Sequence, residues 1–327
     1  MTCLDDFDAL FLDCDGTVYE GGRPIDHARE ALAHVTCPVM YITNNASRLP
    51  SDVAASLSGM GIPATEEQVM TSAMAGVGML KEIFPAGSVI LVLGTDTLAQ
   101  LVEKAGFTAT RTADDHPDGV IHGHSPDTGW AELSEAALAI RAGARYIATN
   151  RDLQLPAERG MTVGNGAMVM AVVHSTGVDP QSAGKPAPTM FEQAKKALGV
   201  ANPLAIGDRL DTDIAGGNNA GQATLQVLTG VSGPQALLTA EKNLRPVMVA
   251  EDLRALSEET TALTPQAQDG FTARREGGTI VLSGGDDSSR FIAGLRTVLA
   301  CAWDGGPVPA AVRADSPAAE KVVARWW

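Results

Sequence analysis

The stretch LFLDCDGTVYEG, residues 10–21, decides how the rest of the chain is read. An apolar run passes directly into Asp13 and Asp15, with Gly16 and Thr17 behind them. Side-chain direction alternates along a strand, so an extended backbone through 13–15 would turn both carboxylates to one side. At about 5 Å and an effective dielectric of about 20, their repulsion costs on the order of 3 kcal/mol. Two devices could offset it. One is a hard divalent cation such as magnesium, which takes oxygen ligands and shares its shell with a phosphate. The other is a shared proton that keeps one carboxyl neutral as a general acid. Gly16 lets the backbone bend where the strand ends, and parallel sheets bind ligands outside such carboxyl ends. Alone, D-x-D-G reads equally as a solvated turn. A calcium loop starting at Asp13 is excluded, because Val18 and Pro24 stand where its glycine and glutamate belong.

Outward from this stretch, apolar runs alternate with helical periodicity through the first two-thirds of the chain. Strands are expected at 8–13, 38–43, 88–94, 118–123, 145–149, 203–208 and 223–230. The segments between them, such as DTLAQLVEKAG and PTMFEQAKKALG, have helical spacing and several end on a capping glycine. This is the pattern of βαβ units around a parallel sheet, so the fold class is α/β. A chain of 327 residues admits one large α/β unit or two domains with a small appendage. The Thr-rich stretch 256–270 reads as a linker. Beyond it, GGTIVLSGG is a strand candidate, and Phe291, Leu295, Val298 and Ala302 share one face of a helix suited to packing on the main body or on a partner subunit.

With 39 acidic and 24 basic residues the net charge is −15, a field that repels nucleic acid and anionic lipid. A small anionic substrate remains compatible, since a bound cation and local donors can reverse the field in one pocket. Cys3, Cys14, Cys37 and Cys301 form no C-x-x-C pair and no disulfide framework, which points to thiols in a cytoplasm. The start MTCLDDFD lacks the features of a signal peptide, and no apolar run approaches the roughly 18 residues of a membrane helix.

Three further motifs fall at expected strand ends or helix starts. YITNNASRL puts Thr43, Asn44 and Asn45 at the end of the second strand, where small polar residues either cap a helix or donate to a phosphate oxygen. SAGKPAPTMF places Lys185 before a helix whose first turn is set by Pro186 and Pro188, an anion-attracting position. LAIGDRLDTD ends another buried strand on Asp208, with Asp211 and Asp213 following. Asp211 or Thr212 could cap a helix, but an ionised Asp208 at a strand end is costly unless paired or holding a metal. Carboxylates, a hydroxyl and a lysine at one sheet edge suit phosphoryl transfer, where positioning and charge neutralisation do most of the catalysis.

DCDGT, Thr43 in TNN, Lys185 and GDRLDTD together resemble the haloacid dehalogenase superfamily of phosphatases over roughly 5–255. The stretch IATNRDLQLPAERGMTVGNGAMVMAV is similar to the cap of its NagD-like, class IIA branch. The resemblance implies a Rossmann-like doubly wound parallel sheet core at 1–76 and 182–256 and an inserted α/β cap of the C2 type at 77–181; after the polar linker, 270–327 is expected to form a small α/β extension. It implies Asp13 as nucleophile forming an aspartyl-phosphate, and Asp15 as acid and then base. Thr43, Asn44 through its backbone, and Lys185 would bind the phosphoryl oxygens. Mg²⁺ would sit on Asp13, the Asp15 carbonyl and Asp208, with Asp213 ordering its waters. Asp15 argues for an oxygen leaving group, because dehalogenases of the superfamily lack the second aspartate.

The implied activity is hydrolysis of a small phosphorylated metabolite in the cytoplasm. The C-terminal segment is similar to that of members that hydrolyse glycerol 3-phosphate, which makes this ester the first expected substrate. Phosphoglycolate, sugar phosphates, nucleotides and pyridoxal phosphate are the alternatives. Members acting on pyridoxal phosphate carry a histidine near the position of Leu155, in a specificity loop expected at 150–166. His122 and His124, two residues apart in the cap, lack a third ligand of suitable spacing. The cap and the C-terminal segment each admit a homo-oligomer. Two other classes share parts of the pattern: a phospho-accepting signalling module, which needs no long insertion, and an inactive scaffold whose acidic cluster holds a structural cation.

Overall fold

A computed structural model describes residues 2–157 and 159–326. The chain divides into two compact units, Met1–Met40 with Met60–Ile62 and Leu198–Trp327, and Tyr41–Gly59 with Pro63–Ala197.

In the first unit, parallel strands lie in the order Met248–Ala250, Ala223–Val227, Pro203–Gly207, Ala9–Leu12. All four residues of Ala9–Leu12 and all five of Pro203–Gly207 are buried. Continuous apolar runs of this kind belong to parallel strands covered on both faces. The pairing of Leu12 with Ile206 brings the carboxyl ends of these two strands side by side. Asp13 and Asp208, each the next residue, therefore emerge together.

The C-terminal segment of this unit forms its own three-stranded sheet. Phe271–Glu276 runs antiparallel to Thr279–Gly284, which pairs in parallel with Ala311–Ala314. The helix Phe291–Ala302 is buried on more than one stripe: Ile292 through Leu299 are all inaccessible, Arg296 at 1% exposure included. One apolar cluster joins Leu295, Val298 and Ala302 with Leu210, Ile214, Leu237 and Val249 of the same unit. Burial lowers the Arg296 guanidinium to about 10, and its Nε donates to the Val249 carbonyl at 2.7 Å. The polar stretch before this segment includes a helical turn, Thr260–Leu263, with Leu263 buried.

In the second unit, the end of the strand Val39–Thr43 pairs in parallel with Val69–Thr71. A separate five-stranded parallel sheet runs in the order Gln181–Ser182, Arg145–Ala148, Gly119–His122, Val89–Leu93, Thr108–Thr110. Alternation along its strands sends Ile90, Val92, Ile121 and Ile147 into one apolar cluster. It sends Leu91, Leu93, Val120, Tyr146 and Ala148 into another. The helices Ser72–Ile83 and Asp96–Lys104 contribute to the first cluster, Trp130–Arg141 and Asn165–Thr176 to the second. The sheet is thus doubly wound. Thr71 and Thr95 cap the first two helices, accepting from Met74 N–H and Leu98 N–H. A small antiparallel hairpin, Gln154–Ala157 with Gly160–Val163, precedes the helix Asn165–Thr176. Among the described residues no helix is long and apolar enough to cross a membrane.

Candidate active site

The first strand stops at Leu12, and the backbone does not stay extended through 13–15. Val18 N–H and Tyr19 N–H both donate to the Cys14 carbonyl, and Gly16, at φ +83°, donates to the Tyr19 carbonyl at 2.8 Å. This turn buries Cys14, leaves Asp15 exposed and keeps Asp13 half-buried. The two aspartates thus do not share one side of a strand; the turn gives them different environments.

Asp13 instead joins Asp208 and Asp213, one carboxylate oxygen from each lying within 4.8 Å of the others. Asp208 and Asp213 are 1% and 3% exposed. Asp213 is carried inward by the helical turn Leu210–Ile214, and its Oδ2 accepts from Arg209 N–H at 3.0 Å. Asp208 Oδ2 accepts from Val231 N–H at 2.7 Å. Three glycines make room for the trio. A Cβ on Gly16 would lie 2.6 Å from Asp208, one on Gly207 2.2 Å from Asp213, and one on Gly230 2.1 Å from Asp208. Three hard oxygen donors given room by these glycines suit Mg²⁺, which takes carboxylate oxygens. The Asp15 carboxylate is not a member of this trio, and Asp211 lies outside it, held by the Arg209 guanidinium at 3.1 and 2.8 Å.

The loop after the strand Ala223–Val227 completes the wall, although 223–230 reads in sequence as one continuous strand. Gln226, wholly buried, directs its Nε2 at the carbonyls of Asp208 and Ser232, at 2.6 and 3.2 Å. Thr229 Oγ1 donates to the Gly16 carbonyl at 2.5 Å. Gly230 followed by a loop was the only sequence signal for this contribution.

The second unit gathers Thr43, Asn44 and Lys185. Lys185 precedes a helix as expected, but that helix begins at Thr189, so Pro186 and Pro188 lie ahead of its first turn, and Lys185 sits on a turn of its own closed by Ala187 N–H to the Gly184 carbonyl. It is 3% exposed, and its Nζ donates to the Ile42 carbonyl at 3.0 Å. Asn44 brackets the Lys185 peptide: its Oδ1 accepts from Lys185 N–H at 2.8 Å and its Nδ2 donates to the Lys185 carbonyl at 3.0 Å. Asn45 Oδ1 accepts from the N–H groups of Ser47 and Arg48, a local turn that leads toward the helix Pro50–Gly59.

His122 is a core histidine. Its Nδ1 meets Tyr146 Oη at 2.8 Å, and burial lowers its ring to about 3. Among the described residues neither it nor His124 belongs to a metal-ligating group. Burial raises the Tyr146 phenol above its usual range.

The chain resembles known proteins in both sequence and overall structure. Residues 10–108 match the family model of haloacid dehalogenase-like hydrolases, and 182–256 match a second model described as HAD-hydrolase-like. The chain is 39% identical over 330 aligned residues, 98% of its length and 94% of the relative's, to a D-glycerol 3-phosphate phosphatase of Mycobacterium tuberculosis. A crystal structure of a glycerol phosphate phosphatase from that organism, in complex with magnesium, superposes with a TM-score of 0.95 at 39% identity, covering all of this chain and 98% of the other. An acid sugar phosphatase of Staphylococcus aureus is 36% identical over 76% of this chain and 96% of its own. With both family models in order and a relative matched end to end, the chain belongs to the haloacid dehalogenase-like hydrolases.

Proposed function

We propose that the protein is a Mg²⁺-dependent phosphatase that hydrolyses small phosphomonoesters, glycerol 3-phosphate first among them. The observation that carries this reading is the trio Asp13, Asp208 and Asp213, whose carboxylate oxygens converge within 4.8 Å. The whole-length likeness to a D-glycerol 3-phosphate phosphatase supports the substrate.

Asp13, Asp208 and the Asp15 carbonyl would hold Mg²⁺, with Asp213 fixing the arrangement around it. When bound, the ion neutralises the phosphoryl charge that would otherwise repel the nucleophile. Asp13 attacks phosphorus in line and becomes an aspartyl-phosphate, releasing the alcohol. Asp15, which is exposed, protonates the leaving oxygen and then takes a proton from the water that hydrolyses the acyl phosphate. Thr43 Oγ1, Asn44 N–H and the Lys185 ammonium bind the phosphoryl oxygens. In this reading 1–76 and 182–256 are the hydrolase core, 77–181 the cap that selects the alcohol, and 270–327 an extension that packs rather than catalyses. The reading places the enzyme in the cytoplasm, supported by four cysteines that all stand as thiols. It also admits self-association through the cap or the extension.

The likeness to an acid sugar phosphatase favours sugar phosphates as the second substrate class. Phosphate release from glycerol, glycolate, sugar, nucleotide and pyridoxal phosphates, each with Mg²⁺ and with EDTA, tests both levels. Glycerol 3-phosphate should turn over fastest and EDTA should silence every ester reversibly. A flat profile would overturn the substrate, and no release of phosphate from any ester would overturn the activity.

A further inference from the structure

We infer that Asp152 is a positioning residue for phosphate binding: its carboxylate fixes the Asn44 amide, and through that amide the place of Lys185. The inference rests on the reading of Asn44 and Lys185 as phosphate-binding groups, and extends it to a residue 108 positions away in sequence.

The Asn44 side chain has two N–H donors and one carbonyl, and every one of them is in use. One side of Nδ2 donates to the Lys185 carbonyl at 3.0 Å while Oδ1 accepts from Lys185 N–H at 2.8 Å, the exchange that two paired strand residues make. The rest of Nδ2 faces Asp152, 3.2 Å from Oδ1 and 3.1 Å from Oδ2. A carboxylate only accepts, so it admits one of the two flipped orientations of the amide. In the other orientation an N–H would face the Lys185 N–H, and the amide oxygen would face the carboxylate. The Asn44 backbone is fixed as well: its carbonyl accepts from Asn150 Nδ2 and Ser72 Oγ, each at 2.7 Å. With Lys185 Nζ on the Ile42 carbonyl, Asn44 and the Lys185 ammonium form one braced unit.

The packing leaves no slack in this arrangement. A Cβ on Gly184 would come within 2.8 Å of Asn44 Oδ1 and 2.7 Å of the Thr149 carbonyl. Cβ atoms on Gly164 and Gly166 would strike the carbonyls of Asp152 and Arg151 at 2.2 and 2.1 Å. The 150–152 loop is therefore pressed onto the start of the helix Asn165–Thr176, with Gly166 N–H donating to the Asp152 carbonyl at 2.8 Å. Asp152 acts from a backbone that is itself fixed.

Binding of inorganic phosphate in the presence of Mg²⁺, followed by ³¹P NMR, tests the inference without involving any alcohol group. Asp152→Ala should weaken it about tenfold, the loss of one charge-assisted hydrogen bond. Asp152→Asn, which keeps one acceptor, should recover part of that loss, and it serves as the readout should the alanine variant fail to fold. In a Lys185→Met background, Asp152→Ala should shift phosphate binding by less than about twofold, as coupled residues do. Unchanged or tighter binding by Asp152→Ala would overturn the inference, since simple removal of a negative charge near an anion gives that result. An equal loss with and without Lys185 would overturn it too. Failure of the wild type to bind phosphate at all would instead overturn the underlying assignment of Asn44 and Lys185.

Discussion

The acidic trio of the first unit and the amide network of the second both bury charge at strand ends, yet they are built from opposite materials. Asp13, Asp208 and Asp213 bring three carboxylates within 4.8 Å, and the surroundings give way to them through Gly16, Gly207 and Gly230. Lys185 sits in a mesh where the Asn44 amide, the Asn150 amide and the Ser72 hydroxyl each find a partner. The first arrangement sets like charges against one another, a repulsion that a bound cation would relieve. The second is satisfied by its own groups and is rigid before any ligand arrives. The trio should accordingly respond most to added volume, and the mesh to the loss of single polar groups.

The largest effect is expected at Asp208. Asp208→Asn should lower Mg²⁺ affinity by at least about a hundredfold, measured by calorimetry, because ligand loss exceeds the effect of losing an outer partner. Gly230→Ala comes next. Its Cβ would fall 2.1 Å from Asp208 Oδ2, and forced overpacking of this kind costs about 1–3 kcal/mol, to be read as weaker Mg²⁺ binding in the same titration.

In the second unit a buried histidine makes stability depend on pH. His122 titrates near 6.5 when unfolded and is lowered to about 3 by burial. Between these values the unfolded chain binds a proton that the folded chain refuses, so stability falls as pH drops through that window. At pH 5 this amounts to about 2 kcal/mol relative to neutral pH. Denaturation at pH 7 and pH 5 should show that loss in the wild type beyond whatever His122→Leu shows; identical pH dependence would remove His122 from the account. The smallest effect is expected for Ser72→Ala, about 1 kcal/mol of stability, because Asn150 still donates to the Asn44 carbonyl.

These features differ in how far the sequence reveals them. The strands were readable because buried parallel strands are unbroken apolar runs, and the aspartates because a carboxylate seldom ends such a run without a task. The short strands Val69–Thr71, Thr108–Thr110 and Met248–Ala250 give too few residues for a period to stand out. Asp13 and Asp15 look like a matched pair until the turn at Cys14 separates them, and that turn is closed by backbone bonds that no side-chain pattern announces. Gly230 looks like the end of a strand; only the fold shows that its missing side chain leaves space for Asp208. Asp152 and Asn44 are separated by 108 positions, so nothing local to either could link them.

The most direct test of the whole account is Asp13. With Mg²⁺ and glycerol 3-phosphate, acid quenching in the steady state should trap an acyl phosphate on residue 13, which borohydride reduction and peptide mass spectrometry locate. Asp13→Asn should show neither the adduct nor measurable phosphate release. Turnover by Asp13→Asn at the wild-type rate, or a phosphorylated residue elsewhere, would contradict it.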